Sequence, residues 1–170
     1  MGEDKERDSY LVKAMANASS ILQTFKESKV PKELDFLSVD IDGNDYWVTK
    51  ELLKEYRPAA ISVEMNANYP ADIAATIKNC QPSFSWKLSK LYGVSARAIY
   101  DLVTAYGYSY VFHFSYTDIF FVRSELLPPE FRGMRLEDTF DAFPFSKIDL
   151  NINQMSSKNI SKQGQDNCWR

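Results

Sequence analysis

The chain contains little of what several common classes of protein depend on. Among its 170 residues are two cysteines, Cys80 and Cys168, and one histidine, His113. Two cysteines are too few for a disulfide scaffold, so we expect both to be free thiols. His113 lies inside an aromatic run of strand-like composition, with neither a nucleophile nor metal ligands near it in sequence. We therefore interpret it as a partly buried structural residue.

Long apolar runs and basic clusters are also missing. No apolar run approaches the roughly 18 residues that a membrane span needs, and the amino terminus has no apolar segment of a secretory signal. The formal charge of −3, the pI near 5.2 and the dispersed lysines and arginines provide no basic surface for a phosphate backbone. The sequence therefore favours a soluble, cytoplasmic protein that binds neither nucleic acid nor membranes.

The motifs of several large enzyme classes do not occur in the sequence. There is no G-x-S-x-G nucleophile elbow, no H-E-x-x-H zinc helix, no paired C-x-x-C and no phosphate-binding P-loop. These motifs are the common routes to hydrolase, zinc-protease and nucleotidase chemistry. The remaining candidates for chemistry are clustered acidic residues.

A group of closely spaced acids follows an apolar run at residues 35–41. The run is nearly continuous in apolar content, as expected of a parallel strand that is covered on both faces. Asp40 and Asp42 come at its end, and Asp45 begins a helical pattern as a cap or first-turn acid. The sequence therefore predicts a buried strand that delivers carboxylates to its carboxyl end.

A second buried strand is predicted at residues 59–65. The interval from residue 41 to residue 59 is long enough for a helical crossover between parallel strands, so the two strands should be neighbours that point the same way. Open α/β sheets bind ligands at the carboxyl ends of such strands. We therefore expect Glu64 and Asn66 to emerge at the same edge of the sheet as the acids of the first strand.

The remaining elements follow from periodicity and from helix-stop signals. They are a helix over 9–29, a helix over 95–106 that Gly107 ends, and β-rich runs over 108–114 and 117–123. The two β-rich runs are separated by only two residues, which favours an antiparallel hairpin. We place a domain over residues 1–127 and a C-terminal extension over 128–170, which from about residue 151 lacks the apolar content needed for order.

The acidic cluster allows several roles. Asp40, Asp42, Asp45 and Glu64 suit coordination of a divalent cation, general-base catalysis or hydrogen bonding to a ligand. The structural alternative is that Asp42 and Asp45 cap the helix while Asp40 pairs with a lysine or an arginine. A calcium loop is not favoured, because Asp45 stands where that loop needs glycine and strand-like residues lead into it.

Several segments of the chain occur in the order typical of one enzyme family. They are residues 30–47, Tyr56-Arg57-Pro58, Val63-Glu64-Met65-Asn66, and residues 92–95, 106–108 and 120–123. On these segments the chain resembles the FkbM-type and related class I S-adenosylmethionine-dependent methyltransferases, over roughly residues 17–127. The resemblance implies that strands 35–41 and 59–65 are the fourth and fifth strands of the methyltransferase sheet. The hairpin would supply its antiparallel sixth and seventh strands.

The resemblance also implies an activity and a site. The activity is methyl transfer from S-adenosylmethionine to an oxygen or nitrogen atom of a small molecule or glycan, without a metal. The implied roles are Asp42 as proton acceptor, Asp40 and Asn44 as cofactor contacts, and Asp45, Glu64 and Asn66 as substrate contacts.

The matched segments correspond to the carboxyl half of that fold. The glycine-rich turn and the second-strand acid that hold the cofactor in this family precede the matched region, and residues 1–34 contain no such turn. We therefore predict a partial Rossmann-like α/β fold with parallel strands, a C-terminal antiparallel hairpin and flanking helices. The alternative function is an inactive, truncated module that acts in partner binding or as a homodimer through the exposed edge of strand 35–41.

Overall fold

A mixed α/β fold accounts for the part of the chain that the structure describes. The structure is a computed structural model, and it describes residues 11–77, 79, 92–114 and 116–140. Its elements are α1 (Ile21–Glu27), β1 (Phe36–Val39), α2 (Asp45–Leu52), β2 (Ala60–Glu64), α3 (Ala96–Ala105), β3 (Tyr108–Phe114) and β4 (Asp118–Arg123). The α/β class predicted from the sequence is confirmed. Cys80 and Cys168 lie outside the described residues.

The four strands form one mixed sheet in the order β1-β2-β4-β3. β1 and β2 are parallel, with Phe36 opposite Ala60 and Val39 opposite Val63. β4 lies antiparallel to both β2 and β3, so the predicted hairpin forms and its second strand pairs with β2. Within the described residues, β1 and β3 are therefore the edge strands of the sheet.

The helices pack on one face of this sheet. The core combines alternate strand residues with apolar residues of α2 and α3: Leu37, Val39, Ile61, Val63, Tyr110, Ile119, Phe121, Val48, Leu52, Ile99 and Val103. None of the described helices contributes to the opposite face, where Phe36, Phe112 and Phe114 are exposed. β1 alternates between exposed and buried residues. The prediction that this strand is covered on both faces is therefore wrong for the described residues.

The first helix is shorter than the sequence predicts. A helix over 9–29 was expected, but the helix begins at Ile21, and residues 11–20 lie outside it. Asn17 supplies the reason, because its Oδ1 accepts hydrogen bonds from the backbone N–H groups of Ser19 and Ser20, each at 3.0 Å. Such a local side-chain bond offers the backbone an alternative to helix. Periodicity alone does not reveal this competition.

The third helix is anchored at both ends as the sequence indicates. The Ser95 hydroxyl accepts hydrogen bonds from the Ala98 N–H at 3.2 Å and from the Ala75 N–H at 2.9 Å. The second of these bonds ties the start of α3 to the loop that follows β2. Gly107 ends the helix region with a φ of 86°, a left-handed conformation that favours glycine.

The core continues past residue 127. Leu136 is fully buried and Phe140 is nearly so, and both belong to the same core as the sheet. The Phe140 ring lies 5.2 Å from the ring of His113, centroid to centroid. His113 Nδ1 is also 2.8 Å from the Tyr110 hydroxyl. These contacts support a structural role for the histidine and place residue 140 beside β3.

Candidate functional site

The acids that follow β1 and β2 meet at one edge of the sheet. Val39 pairs in parallel register with Val63, so Asp40 and Glu64 leave the sheet at the same level. Asp40 and Asp42 are exposed, and Glu64 is partly buried. The negative charges of both exposed acids act on Glu64. We call this group, together with Asp45, the carboxylate edge.

Asp45 holds the turn that connects β1 to α2. Its Oδ1 accepts a hydrogen bond from the Ile41 N–H at 2.9 Å, and its Oδ2 accepts one from the Gly43 N–H at 2.9 Å. The side chain is buried, and this burial raises the pKa of Asp45 although the backbone hydrogen bonds oppose the shift. Since both oxygens bind the backbone, the geometry assigns Asp45 to shaping the loop.

Asp42 and Asn44 lie within this turn. Asp42 has a φ of 56°, in the left-handed region that costs a non-glycine residue on the order of 1 kcal/mol. Its backbone N–H lies close enough to the Glu64 carboxylate to lower the pKa of that group, so the turn folds back onto the end of β2. Asn44 is buried at the N-cap position of α2, where its carbonyl oxygen accepts a hydrogen bond from the Val48 N–H at 2.9 Å.

Asn66 fastens the loop that follows β2. It is fully buried, and its Nδ2 donates a hydrogen bond to the Tyr92 carbonyl oxygen at 2.9 Å. Its Oδ1 accepts hydrogen bonds from the backbone and the side chain of Asn68, at 2.9 and 2.7 Å. The sequence assigned Asn66 to substrate contact, and the structure places its amide within the protein, where it orders the surroundings of Glu64.

Glu64 is the acid whose protonation is most altered. Burial is the largest cause that raises the pKa of Glu64 to about 7, and repulsion from Asp45, Asp40 and Asp42 adds to it. The backbone N–H of Asp42 opposes this shift only in part. Both protonation states are therefore populated near neutral pH, which is the property that a general base or acid needs.

Replacing Glu64 with glutamine should change how stability depends on pH. The pKa of Glu64 is about 7 in the folded chain and ordinarily 4.5, so between these values the folded state binds more protons than the unfolded state. Stability contributed by this group is therefore present below pH 4.5 and is lost as the pH rises through 7. We expect Glu64→Gln to be more stable than the parent at pH 8 by about 1–2 kcal/mol, a value reduced for solvent screening.

Urea denaturation at pH 4 and pH 8 measures this difference. Glu51→Gln is the matched control, because Glu51 forms a solvent-exposed ion pair with Lys54 on α2. We expect no gain in stability for the control at pH 8. Equal stability of Glu64→Gln and the parent at both pH values would contradict the proposed desolvation of this carboxyl.

Tyr92, which lies near Glu64, and Tyr69, which lies near Tyr92, were not identified as site residues from the sequence. Burial and the negative charges of Glu64 and Asp42 raise the pKa of Tyr92. Burial and the neighbouring Tyr92 raise the pKa of Tyr69 to about 12. Both phenols are thus neutral at pH 7 and can donate hydrogen bonds. In the sequence, residues 92–95 are one of the segments that resemble the methyltransferase family, but the resemblance implies no role for Tyr92.

A surface cavity of about 330 Å³ lies between α2, α3 and the loop after β2. Its lining includes Tyr46 in the first turn of α2 and Asp101 of α3. This volume is at the lower end of the range for small-molecule pockets. The acids of the carboxylate edge do not line this cavity. A second cavity, of about 270 Å³, lies near Arg57 and Tyr108, at the amino end of β2.

Two further features are absent from the described residues, namely a cluster of potential metal ligands and a membrane-spanning helix. In the described ranges, no group of three or more histidine, cysteine, aspartate or glutamate side chains is arranged to hold a metal ion. The residues that lead into the acidic turn form β1, where a calcium loop of the EF-hand type needs a helix. No helix in the described part of the chain combines the length and the hydrophobicity that a bilayer span requires.

Comparisons with known proteins give no match to a protein-family model, to a curated protein or to a solved structure. The evidence for function therefore lies in the residues of the chain itself, above all in the carboxylate edge.

Proposed function

We propose that the protein is a methyltransferase-like α/β protein that uses S-adenosylmethionine and methylates an oxygen or nitrogen atom of a small molecule or glycan. The observation that carries the proposal is Glu64, a carboxyl with a pKa of about 7 at the end of a parallel strand. Two exposed acids, Asp40 and Asp42, stand next to it. Such a group can take a proton from an acceptor near neutral pH.

The fold supports the same proposal. The resemblance implies two parallel strands followed by an antiparallel hairpin, and the sheet has this arrangement. The segment that carries most of the resemblance, residues 30–47, contains β1, the acidic turn and the start of α2. The second segment, residues 63–66, contains the end of β2. The resemblance and the carboxylate edge therefore coincide in the molecule.

The side chains at the edge suit this cofactor chemically. Exposed carboxylates accept hydrogen bonds from hydroxyl and ammonium groups, and their negative charge complements a sulfonium cation. We assign this holding role to Asp40 and Asp42. S-adenosylmethionine, when bound, supplies an electrophilic methyl group.

Residues of the chain supply the proton acceptor and a group that orients the methyl acceptor. In the sequence analysis Asp42 is the proton acceptor, whereas the geometry favours Glu64. The Glu64 carboxyl is partly buried and has a pKa of about 7, so both its protonated and its ionised forms are present at neutral pH. Glu64 would take the proton that the acceptor oxygen or nitrogen loses, while bound S-adenosylmethionine would supply the methyl group. Tyr92 provides a hydrogen-bonding group near it, which orients the acceptor.

Isothermal titration with S-adenosylmethionine tests the proposal. We expect saturable binding to the parent chain at pH 7.5, with at least about tenfold weaker binding after the double change Asp40→Asn and Asp42→Asn, since each carboxylate hydrogen bond contributes about 1.5–3 kcal/mol. The matched control is Asp35→Asn, an exposed acid that precedes β1 at its opposite end. A folded parent chain that shows no heat of binding would overturn the proposal.

A second candidate function is a non-catalytic module that associates with another chain. The observation that favours it is the edge of β1, which pairs with no other strand among the described residues. Unpaired strand edges are templates for pairing with a second chain. Light scattering after size-exclusion chromatography distinguishes the two candidates. A stable dimer that does not bind S-adenosylmethionine would favour the module.

A further inference from the structure

One face of the sheet carries a cluster of aromatic side chains. We call Phe36, Phe112, Phe114 and Phe120 the aromatic face. The rings of Phe112 and Phe120 are stacked, with centroids 4.4 Å apart and planes inclined by 9°. Phe36, Phe112 and Phe114 are 52, 48 and 66% exposed. The exposed rings therefore lie on both edge strands of one sheet face, which makes this face a candidate interaction surface.

The aromatic face is poor in charge. The strand residues that share it by register are Ser38, Ala60, Ser62, Glu64, Ser109, Asp118 and Val122. Its ionisable members, Glu64 and Asp118, are opposite each other at one end. Ser62, near the centre of the face, is only 3% exposed, so water has little access to the middle of the face. A segment that covers this face must therefore be mainly apolar.

The size of the face indicates what kind of segment covers it. Four strands about 4.8 Å apart, each contributing about five residues at 3.3 Å per residue, give an area of roughly 300 Å². A stable interface between separate proteins buries about 800 Å² on each partner. The face is too small for that purpose alone. A tethered segment of the same chain needs less area, because its effective concentration is in the millimolar range.

The last described residues of the chain lie close to the edge of this face. Phe140, the last described residue, packs against His113 of β3, and β3 also carries Phe112 and Phe114 on its other side. β3 is an edge strand, so the chain needs only to pass around that edge to reach the aromatic face. Thirty residues follow Phe140, all of them outside the described residues.

These following residues contain a suitable apolar pattern. Ile148, Leu150 and Ile152 alternate with the polar residues Asp149, Asn151 and Asn153. Such alternation places these three apolar side chains on one side of an extended segment. The five residues from 148 to 152 reach roughly 16 Å when extended, comparable with the roughly 14 Å from β3 to β1.

We propose that residues 148–152 cover the aromatic face, with Ile148, Leu150 and Ile152 packed against the phenylalanine rings. The segment completes the second side of the sheet from within the same chain. This inference does not rest on the proposed methyl transfer, although Glu64 lies at one end of the covered face.

Nuclear Overhauser spectroscopy on the full chain tests the proposal directly. With labelled isoleucine and leucine methyl groups and labelled phenylalanine rings, we expect contacts from Ile148, Leu150 and Ile152 to Phe112 and Phe120. A sample mixed from separately labelled chains separates contacts within one chain from contacts between copies. Contacts seen only between copies, or no contacts at all, would overturn the proposal.

Substitution gives a second readout that does not depend on assignment of every ring. The triple change Ile148→Ser, Leu150→Ser and Ile152→Ser should raise the fluorescence of an added apolar dye severalfold, because it uncovers the aromatic face. The control changes the polar neighbours Asp149, Asn151 and Asn153 to serine and should leave dye fluorescence unchanged. An equal response of both variants would also refute the covering role.

Discussion

Replacing Asp45 with alanine is expected to destabilise the protein by about 3 kcal/mol. The change removes both acceptors of the hydrogen bonds from the Ile41 and Gly43 N–H groups, each 2.9 Å long, in a buried turn. A hydrogen bond to a charged group contributes about 1.5–3 kcal/mol, and a first-turn acid adds about 0.3–1 kcal/mol through the helix dipole. The desolvation of Asp45, which raises its pKa, offsets part of this sum.

Urea denaturation at pH 7 measures the effect. Asp35→Ala provides the comparison, because Asp35 is exposed just before the same strand and its change should stay within about 0.5 kcal/mol of the parent. The Asp45 variant should also lower the pKa of Glu64, since it removes one of the charges that raise it. A loss of less than about 1 kcal/mol would show that the turn does not depend on this carboxylate.

Replacing Phe121 with alanine is expected to cost about 3–5 kcal/mol, the usual range for truncation of a buried phenylalanine. Phe121 lies on β4, which pairs with strands on both sides, and it is fully buried. Its ring centroid is 6.1 Å from that of Tyr110 in an edge-to-face arrangement. The alanine variant therefore loses both buried area and an aromatic contact in the centre of the core.

The neighbouring residue supplies a matched control. Phe120 has the same side chain on the same strand but points to the aromatic face, where it is only partly buried. We expect Phe120→Ala to cost about 1–2 kcal/mol, in line with its smaller loss of buried area. Thermal or urea denaturation compares the two variants. Equal costs would contradict a core built on one face of the sheet.

The sequence was sufficient for the elements whose signals are local. The interval between the two apolar strands is long enough for a helical crossover, which predicts a parallel pair. β1 and β2 are indeed parallel. The two-residue link required a hairpin, and β3 pairs with β4. The helix over 9–29 was wrong because the side chain of Asn17 competes for backbone groups. The exposed side of Phe36 was missed because a short apolar run does not show whether one or both faces are covered.

The site was predictable at the level of the sheet edge and not at the level of individual roles. Parallel register brings Asp40 and Glu64 to one edge, and this follows from strand order. Which acid is buried depends on how the turn folds back, and that turn buries Asp45 while leaving Asp42 exposed. Tyr92 reaches Glu64 through the loop that Asn66 fastens, a tertiary contact with no local signature.

The central claim is that neighbouring parallel strands bring carboxylates together and move the Glu64 carboxyl into the neutral range. Titration of the side-chain carboxyl carbon of Glu64 by NMR, from pH 4 to pH 9, tests this claim most directly. The account predicts a midpoint at a pKa of about 7 for Glu64 in the folded chain. A midpoint at the ordinary glutamate pKa of 4.5 would contradict it.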